Sequence, residues 1–290
     1  MITIIFCFEF HHSKANKLQI ILLFKIEGMN TIITPTDFSA VSLNAVYYAA
    51  DMAADLNLSL LVLHATEPDV LSFSTGEYYS NDVEEHFLKL KKDLVDRTGN
   101  KVEIRFKQVP GVIENELMKI CERRHPFAVI MATRGANATM HFFMESITIH
   151  LSRHLKYPVM IVPKNIQYKQ VQKIVIATDL KDVDKLPVDK IMTAVNAFKA
   201  RLHVLHINTN GDEQINKHSP QVEAIKTKLQ QADPAFHFLK SKNVQKGVLM
   251  FAENNNIDII MTFPKKHIFL HRSESKQVIF NSPVTVMTIQ

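Results

Sequence analysis

The sequence predicts an α/β protein made of two tandem doubly wound domains, each a five-stranded parallel sheet flanked by helices. An apolar run ending in Thr-Asp occurs twice, as ITPTD and as VIATD, with Thr36 and Thr178 separated by 142 positions. The runs LLVLHA and LHVLHI place His64 and His206 at the same separation. Apolar runs also alternate with stretches of helical spacing, the pattern of a parallel sheet with crossover helices. A repeated pattern at one offset indicates a duplicated domain.

Strands and helices alternate throughout the first domain. Ser39 has the side chain and the position of a helix N-cap, and apolar residues recur at helical spacing from Val41 to Leu56. The run at 58–64 is continuously apolar, as expected of a strand buried on both faces. The predicted strands are 32–36, 58–64, 102–109, 128–133 and 159–162, and the predicted helices are 41–56, 83–95, 112–123 and 144–155.

The second domain repeats this order with a shorter chain. AVIMAT at 128–133 aligns with DIIMTF at 258–263, an offset of 130, and PVMIVP at 158–163 aligns with PVTVMT at 283–288, an offset of 125. We therefore expect the second domain to lack 12 residues in its middle and 5 more before its last strand. The predicted boundaries are 29–165 for the first domain, 166–170 for a linker and 171–290 for the second domain.

Residues 1–28 match nothing in the second half of the chain. Their two apolar runs are each shorter than the roughly 18–20 residues that span a membrane. Basic residues follow the first run rather than precede it, unlike in a signal peptide. We expect the first domain to start at Met29, with 1–28 as an extension outside the fold. The alternative is an additional edge strand.

Composition limits the function classes. The net charge is only +5 over 290 residues, and the basic residues are dispersed, so we expect no nucleic-acid partner and no membrane partner. The two cysteines are far apart, which excludes a disulfide framework and fits a reducing, cytoplasmic location. Among 14 histidines, two pairs have the i, i+4 spacing of a helix face, His150 with His154 and His267 with His271. Neither pair has a nearby third ligand, so we interpret both as polar positions near helix ends and expect no metal.

No sequence signature of catalysis is present. The chain has no G-x-S-x-G elbow and no G-x4-G-K-[ST] loop, and it contains only seven glycines. Cys121 lies in a predicted amphipathic helix, where a buried small hydrophobic residue is the simpler interpretation than a nucleophile. We therefore expect a protein that is not an enzyme, with a slow ATPase as the one alternative.

The stretch from IITPTDFS to LLVLHA, followed by VIMATRG and PVMIVP, resembles a universal stress protein domain. The resemblance covers about residues 29–165 well and 171–289 more loosely. It implies an α/β fold related to other adenine-nucleotide-binding domains. It also implies that the two halves pair internally as a pseudo-dimer, and that the chain could form a homodimer. Some members of this family bind ATP and others do not.

Family members that bind ATP carry Gly-x2-Gly-x9-Gly-Ser/Thr after the fourth strand. Here the first and third glycines are replaced by Ala132 and Glu145, so the motif is degenerate. Glu145 either begins the fourth helix, where an acidic residue near the N-terminus contributes roughly 0.3–1 kcal/mol, or places a carboxylate where phosphate oxygens would lie. We favour the first interpretation. A like-charge contact at ~4 Å costs about 1 kcal/mol in water and about 4 kcal/mol at an effective dielectric of 20, which Arg134 would partly offset. A nucleotide site implied by the resemblance would comprise Pro35, Asp37, Ala65, Met131, Ala132, Gly135, Ser146 and Ile147.

The second domain departs further from the motif. MTFPKKHIFLHRSES at 261–275 has no glycine, and its basic cluster is either a solvated turn or a surface for an anion or for the other half. The cluster comprises Lys265, Lys266, His267, Arg272 and Ser273.

Three functions are considered from the sequence, and the weakest is an enzyme of a related nucleotide-binding fold, because such enzymes need a Gly/Ser-rich loop after the first strand and here that loop is PTDFSA. The first is a non-catalytic regulatory or stress-response protein that acts through contacts with other proteins and needs no cofactor. The alternative is an adenine-nucleotide sensor or slow ATPase that binds ATP with Mg²⁺ in the first domain.

Overall fold

The computed structural model describes residues 29–66, 81–133, 147–180, 183–209, 218–263 and 278–290. Within these residues, ten strands form one sheet in the order β3-β2-β1-β4-β5-β10-β9-β6-β7-β8. Read from the two outer edges inward, the halves of the sheet have the same strand order. All neighbours within each half are parallel. The predicted fold class is confirmed.

The first half contains the strand and helix order predicted from the sequence. Its last strand has the predicted bounds, and the other described bounds differ by a few residues, as is usual at element ends. The described part of the fourth helix covers 147–154, so its predicted start at 144 lies outside the described residues. The elements are β1 Thr31–Pro35, α1 Ala40–Leu56, β2 Ser59–Thr66, α2 Asn81–Thr98, β3 Ile104–Pro110, α3 Ile113–Arg124, β4 Ala128–Ala132 and β5 Val159–Val162.

The second half follows the same sequence of elements. A short helical segment at 278–281 precedes its last strand. The elements are β6 Lys173–Thr178, a 3-10 turn Val183–Lys185, α4 Val188–Phe198, β7 Arg201–Asn208, α5 Pro220–Lys228, a 3-10 turn Gln230–Ala232, β8 Ala235–Lys240, α6 Val244–Asn254, β9 Ile259–Thr262 and β10 Thr285–Thr288.

The two halves join along β5 and β10, which pair antiparallel; we call this pairing the seam. Met160 lies opposite Met287, and both side chains are fully or almost fully buried. Thr288 Oγ1 donates to the Val159 carbonyl at 3.2 Å across the seam. Lys190 of α4 also donates to the Lys156 carbonyl at 3.2 Å. The sheet is therefore continuous through both halves.

Two apolar layers cover the sheet, and each extends over both halves. Successive residues of a strand point to opposite faces, so Ile32 and Ile174 belong to one layer and Ile33 and Val175 to the other. The helices α1, α2, α4 and α5 contribute to the first layer, and α3 and α6 contribute to the second. Both faces of the sheet are covered, as expected for parallel strands.

The segment 163–172 that connects the halves is packed against α1. Asn44 Nδ2 donates to the carbonyls of Pro163 and Ile166 at 3.3 and 3.0 Å, and Tyr168 Oη donates to Asp55 at 2.6 Å. Burial and the Asp55 carboxylate raise the pKa of Tyr168, so its hydroxyl stays protonated and remains a donor. These bonds hold the connection to the first half.

Strand pairing shows which residues of the two halves are equivalent. The offset of 142 holds for the first two strands, because Ile32 pairs with Leu60 and Ile174 pairs with Leu202. Ile32 also pairs with Ala128, and Ile174 pairs with Ile259, so β4 and β9 correspond at an offset of 131. The expected offset of 130 is therefore wrong by one residue.

The alignment error has a physical cause. The expected alignment matched Met131 with Met261, but these two side chains lie in opposite apolar layers. A shift of one residue reverses the faces of a strand, so identical residue types can mislead. The last strands are affected too: Val129 pairs with Val159 and Ile260 pairs with Val286, which gives an offset of 127 instead of 125.

Candidate functional site

The turn between β1 and α1, which we call the first corner, is held by short-range hydrogen bonds. Thr36 Oγ1 accepts from the Phe38 N–H at 3.0 Å, and Asp37 Oδ1 accepts from the Ser39 N–H at 3.0 Å. Ser39 Oγ accepts from the Ser42 N–H at 3.2 Å, which confirms the predicted N-cap of α1. The half-buried Asp37 is thereby fixed at the carboxyl end of β1.

The second half repeats the threonine and histidine contacts of this corner. His64 Nδ1 lies 2.9 Å from the Thr36 carbonyl, and His206 Nδ1 lies 2.9 Å from the Thr178 carbonyl. Thr178 Oγ1 accepts from the Leu180 N–H at 2.9 Å, as Thr36 does from Phe38. The repeated Thr-Asp and His of the sequence thus form one arrangement of contacts that occurs twice in the chain.

A left-handed backbone is common to both corners. Phe38 has φ 60° and Leu180 has φ 61°. This conformation is rare for bulky side chains and costs of order 1–3 kcal/mol, so it persists only where surrounding contacts enforce it. The threonine hydroxyl and the histidine supply those contacts in each half.

Several of the sequence-predicted site residues meet at one edge of the sheet. Pro35, Ala65 and Ala132 lie at or beside the carboxyl ends of β1, β2 and β4, which are adjacent in the sheet. This is where open α/β sheets bind ligands. Asp37 adjoins them through the first corner. The side chain of Met131 is fully buried in the apolar layer, which leaves its backbone as the part at this edge.

Ala132 can replace a glycine without backbone strain. It is the last residue of β4 and does not have a positive φ. Ile147 is half-buried and packs against the layer formed by α3. Gly135 and Ser146, together with Arg134 and Glu145, lie outside the described residues.

The corresponding edge of the second half carries larger side chains at two positions. At the offsets set by strand pairing, Ile207 stands where the first half has Ala65, and Phe263 stands where it has Ala132. Ile207 is 8% exposed and Phe263 is 2% exposed. The basic cluster at 265–273 lies outside the described residues. The two edges therefore differ in side-chain size at these positions although their corners match.

Comparison with known proteins addresses the first half most directly. Residues 29–163 match the model of the universal stress protein family. These residues form a universal stress protein domain. A curated relative, a universal stress protein of Methanocaldococcus jannaschii, is 25% identical over 141 residues, which cover 46% of this chain and 81% of the relative.

Solved structures extend the likeness to the fold of the whole chain. A universal stress protein from Archaeoglobus fulgidus has a TM-score of 0.63 at 17% identity, covering 90% of this chain and 96% of that one. A protein of unknown function from Pseudomonas aeruginosa has a TM-score of 0.56 at 11% identity, covering 92% and 94%. At these identities the likeness concerns the fold. The half that follows the universal stress protein domain is part of that shared architecture.

In the second half, Ile207 packs closely against α6, and this contact can be tested by mutation. A Cβ added at Gly247 of α6 would lie 2.9 Å from Ile207 Cδ1 and 3.1 Å from Ser241 Cβ. Overpacking of a core usually costs about 1–3 kcal/mol. Alanine gains up to about 1 kcal/mol over glycine in a helix, so we expect Gly247→Ala to lower the free energy of unfolding by about 1 kcal/mol.

A double-mutant cycle isolates the contact. The substitution Ile207→Val removes Cδ1, so Gly247→Ala should cost clearly less when combined with it than in the wild type. Urea denaturation of the four proteins gives the coupling free energy. If Gly247→Ala lowers the free energy of unfolding equally in both backgrounds, the close contact between Ile207 and α6 is not the cause.

A pair formed by the buried His203 and the half-buried His237 was not anticipated from the sequence. His203 of β7 and His237 of β8 stack with ring centroids 5.1 Å apart, and His203 Nδ1 lies 2.9 Å from His237 Nε2. His203 is 7% exposed, and its Nε2 is buried without a hydrogen-bond partner in the described structure. Burial, followed by the charges of His237, Arg201 and Lys173, lowers the pKa of His203 to about 4.

The contacts of the other candidate reactive groups, Cys121 and the pair His150 and His154, indicate structural roles. Cys121 is fully buried, and burial raises the pKa of its thiol to about 12, so the thiolate needed for nucleophilic attack is scarce at neutral pH. His150 and His154 stack at 4.0 Å, and His154 Nδ1 contacts the His150 carbonyl. Within the described ranges, no group of three His, Cys, Asp or Glu side chains is arranged to hold a metal ion. His267 and His271 lie outside those ranges.

Among the residues that the structure describes, no helix has the length and apolar character needed to cross a membrane.

Proposed function

We propose that this chain is a non-catalytic, regulatory protein of the universal stress type, in which the second half serves as a built-in partner for the first. The supporting observation is the contrast between corner and edge in the second half. Its corner keeps the threonine and histidine hydrogen bonds of the first, whereas Ile207 and Phe263 stand where the first half has Ala65 and Ala132. A half that keeps its scaffold while placing bulkier residues at its carboxyl edge fits a role in pairing better than a role in chemistry.

The seam supports the same proposal. Pairing of β5 with β10 gives each half a partner inside one chain, as a pseudo-dimer. The chain then acts by contacts with other proteins, in the cytoplasm, without a cofactor. Further association into a homodimer is a separate proposal, which sedimentation velocity would test.

A second candidate function is adenine-nucleotide binding by the first half. It is favoured by the small side chains of Ala65 and Ala132, by the absence of a strained backbone at Ala132, and by the fixed carboxylate of Asp37. If the first half binds ATP with Mg²⁺, Asp37 would accept hydrogen bonds from the ligand at this edge.

Isothermal titration calorimetry of the full chain separates the two candidates. We expect no binding heat with ATP and Mg²⁺, ADP or AMP. Asp37→Ala and Asp179→Ala form a matched pair, because the two aspartates occupy equivalent corners. Micromolar ATP binding that Asp37→Ala abolishes and Asp179→Ala leaves intact would overturn the first proposal and establish the second.

A further inference from the structure

Rings of β2 and α2 pack against Phe38 of the first corner. The Phe38 ring lies 4.7 Å from the His64 ring, 4.9 Å from that of His86 and 5.4 Å from that of Phe87, measured between centroids. His64 also contacts the Thr36 carbonyl through Nδ1. A carbonyl oxygen can only accept, so Nδ1 carries the proton and donates.

These contacts surround Asp37 on both sides along the chain. Thr36 is fixed at its carbonyl by His64 and at its N–H by the Leu63 carbonyl at 2.8 Å. Phe38 is fixed in the left-handed region by Thr36 Oγ1 and by its ring contacts. Strained residues of this kind cluster at functional sites, where the surrounding structure holds a group in one position.

We propose that His64 is a positioning residue that holds the Thr36–Phe38 corner in its left-handed form and thereby keeps the Asp37 carboxylate at the carboxyl edge of β1. The consequence for ligand binding rests on the nucleotide-binding candidate described above. The role of His64 in holding the corner does not depend on that candidate. His206 makes the same contact with Thr178 in the second half, and it therefore provides a matched control within the same chain.

Amide hydrogen exchange of the full chain, resolved by residue with NMR, tests this directly. In His64→Leu the corner loses its donor, and exchange at the Phe38 and Ser39 amides should rise about tenfold, the scale of one lost hydrogen bond. His206→Leu should raise exchange at the Leu180 amide and leave Phe38 unchanged. Unchanged exchange at Phe38 and Ser39 in His64→Leu would overturn the proposal.

A general loss of stability would look different. It would raise exchange equally in the buried strands, for example at Ile33 and Leu61, and that result would also refute a positioning role. Asparagine places an amide N–H close to where histidine carries Nδ1, whereas glutamine places it one bond further out. His64→Asn should therefore keep the wild-type exchange pattern, and His64→Gln should resemble His64→Leu, which provides a test if the leucine variant does not fold.

The binding consequence has its own readout. If wild-type protein binds ATP with Mg²⁺, His64→Leu should weaken that binding about tenfold, while His64→Asn and His206→Leu retain it. Equal affinity in wild type and His64→Leu would refute the consequence. If the wild type binds no nucleotide, the nucleotide-binding candidate fails, and the exchange experiment still decides whether His64 holds the corner.

Discussion

Met160→Asp is expected to lower the free energy of unfolding by about 3–5 kcal/mol, because it places an unpaired carboxylate in the centre of the seam. Met160 is fully buried and lies between Ile130 of β4 and Met287 of β10. The aspartate would lose the packing of the methionine and have no cation opposite it in the strand pairing. We expect both halves to be destabilised together, because β5 and β10 are joined in one sheet.

Met250→Asp is the matched control. Met250 is 56% exposed on α6, so the same substitution there should change stability by no more than about 0.5 kcal/mol. The chain has no tryptophan, and all six tyrosines lie at or before residue 168. Tyrosine fluorescence therefore reports on the first half and its connection, whereas far-UV circular dichroism reports on both halves.

Urea denaturation followed by these two signals measures whether the halves unfold as one unit. In the wild type we expect coincident transitions. Met160→Asp should move both to lower urea. A tyrosine transition that stays in place, or a loss no larger than that of Met250→Asp, would mean that the seam adds little to the stability of the first half.

The second large effect is loss of stability in acid, caused by the pair His203 and His237. The folded pKa of His203 is about 4, below the ordinary value of 6.5. A lowered histidine pKa means that the folded state binds protons less readily than the unfolded state. Its contribution is therefore fully present above pH 6.5 and is lost as pH falls toward 4. We expect this pair to account for about 2–3 kcal/mol of the loss over that window.

The hydrogen bonding of the pair explains why neither ring accepts a second proton easily. A buried N–H donor without an acceptor is costly, so His203 is best placed as the donor through Nδ1, with its Nε2 left as a bare acceptor. A further proton on His203 would create that buried donor. A further proton on His237 Nε2 would place two donors face to face.

The charged groups of the described structure that act on the pair are cations, which disfavour such a proton. Arg201 of β7 and Lys173 of β6 are cationic and lower the pKa of His203 further, and Arg201 also lowers that of His237. On the α6 side the ring of Phe251 lies 4.7 Å from His237. Proton uptake should therefore open the contact between β7 and β8 at the outer edge of the second half.

A double variant tests this origin. His203→Leu combined with His237→Phe removes both polar partners and should be close to wild type in stability at pH 7.5, but should decline less between pH 6.5 and 4. His154→Gln, which changes an exposed histidine, should keep the wild-type pH dependence. Parallel curves for the wild type and the double variant would assign the acid loss to other groups.

Much of the fold could be predicted because local signals and the repeat agree. The apolar run at 58–64, the N-cap Ser39 and the offset between His64 and His206 each have one simple structural meaning, and each is confirmed. The register of β4 and β9 could not be read reliably. Neighbouring positions in a fully buried strand are all apolar, so residue type does not reveal which face a side chain occupies.

The site was harder to predict than the fold. Asp37 and Ala65 were identified from the resemblance, and the predicted offset of 142 already aligns Ile207 with Ala65, but the equivalence of Phe263 and Ala132 became visible only with the correct register. The pairing of His203 with His237 joins residues 34 positions apart, and nothing in the sequence marks them among 14 histidines. Contacts between strands depend on register, which composition does not encode.

The seam also affects how the two halves can change over time. In a symmetric assembly of two identical chains, any substitution appears at both equivalent positions. Here the equivalent positions belong to one chain, so Ala65 and Ile207 can differ while the strand pairing that joins the halves stays intact. Joining the halves in one polypeptide thus allows the residues at one carboxyl edge to change by mutation without forcing the same change at the other.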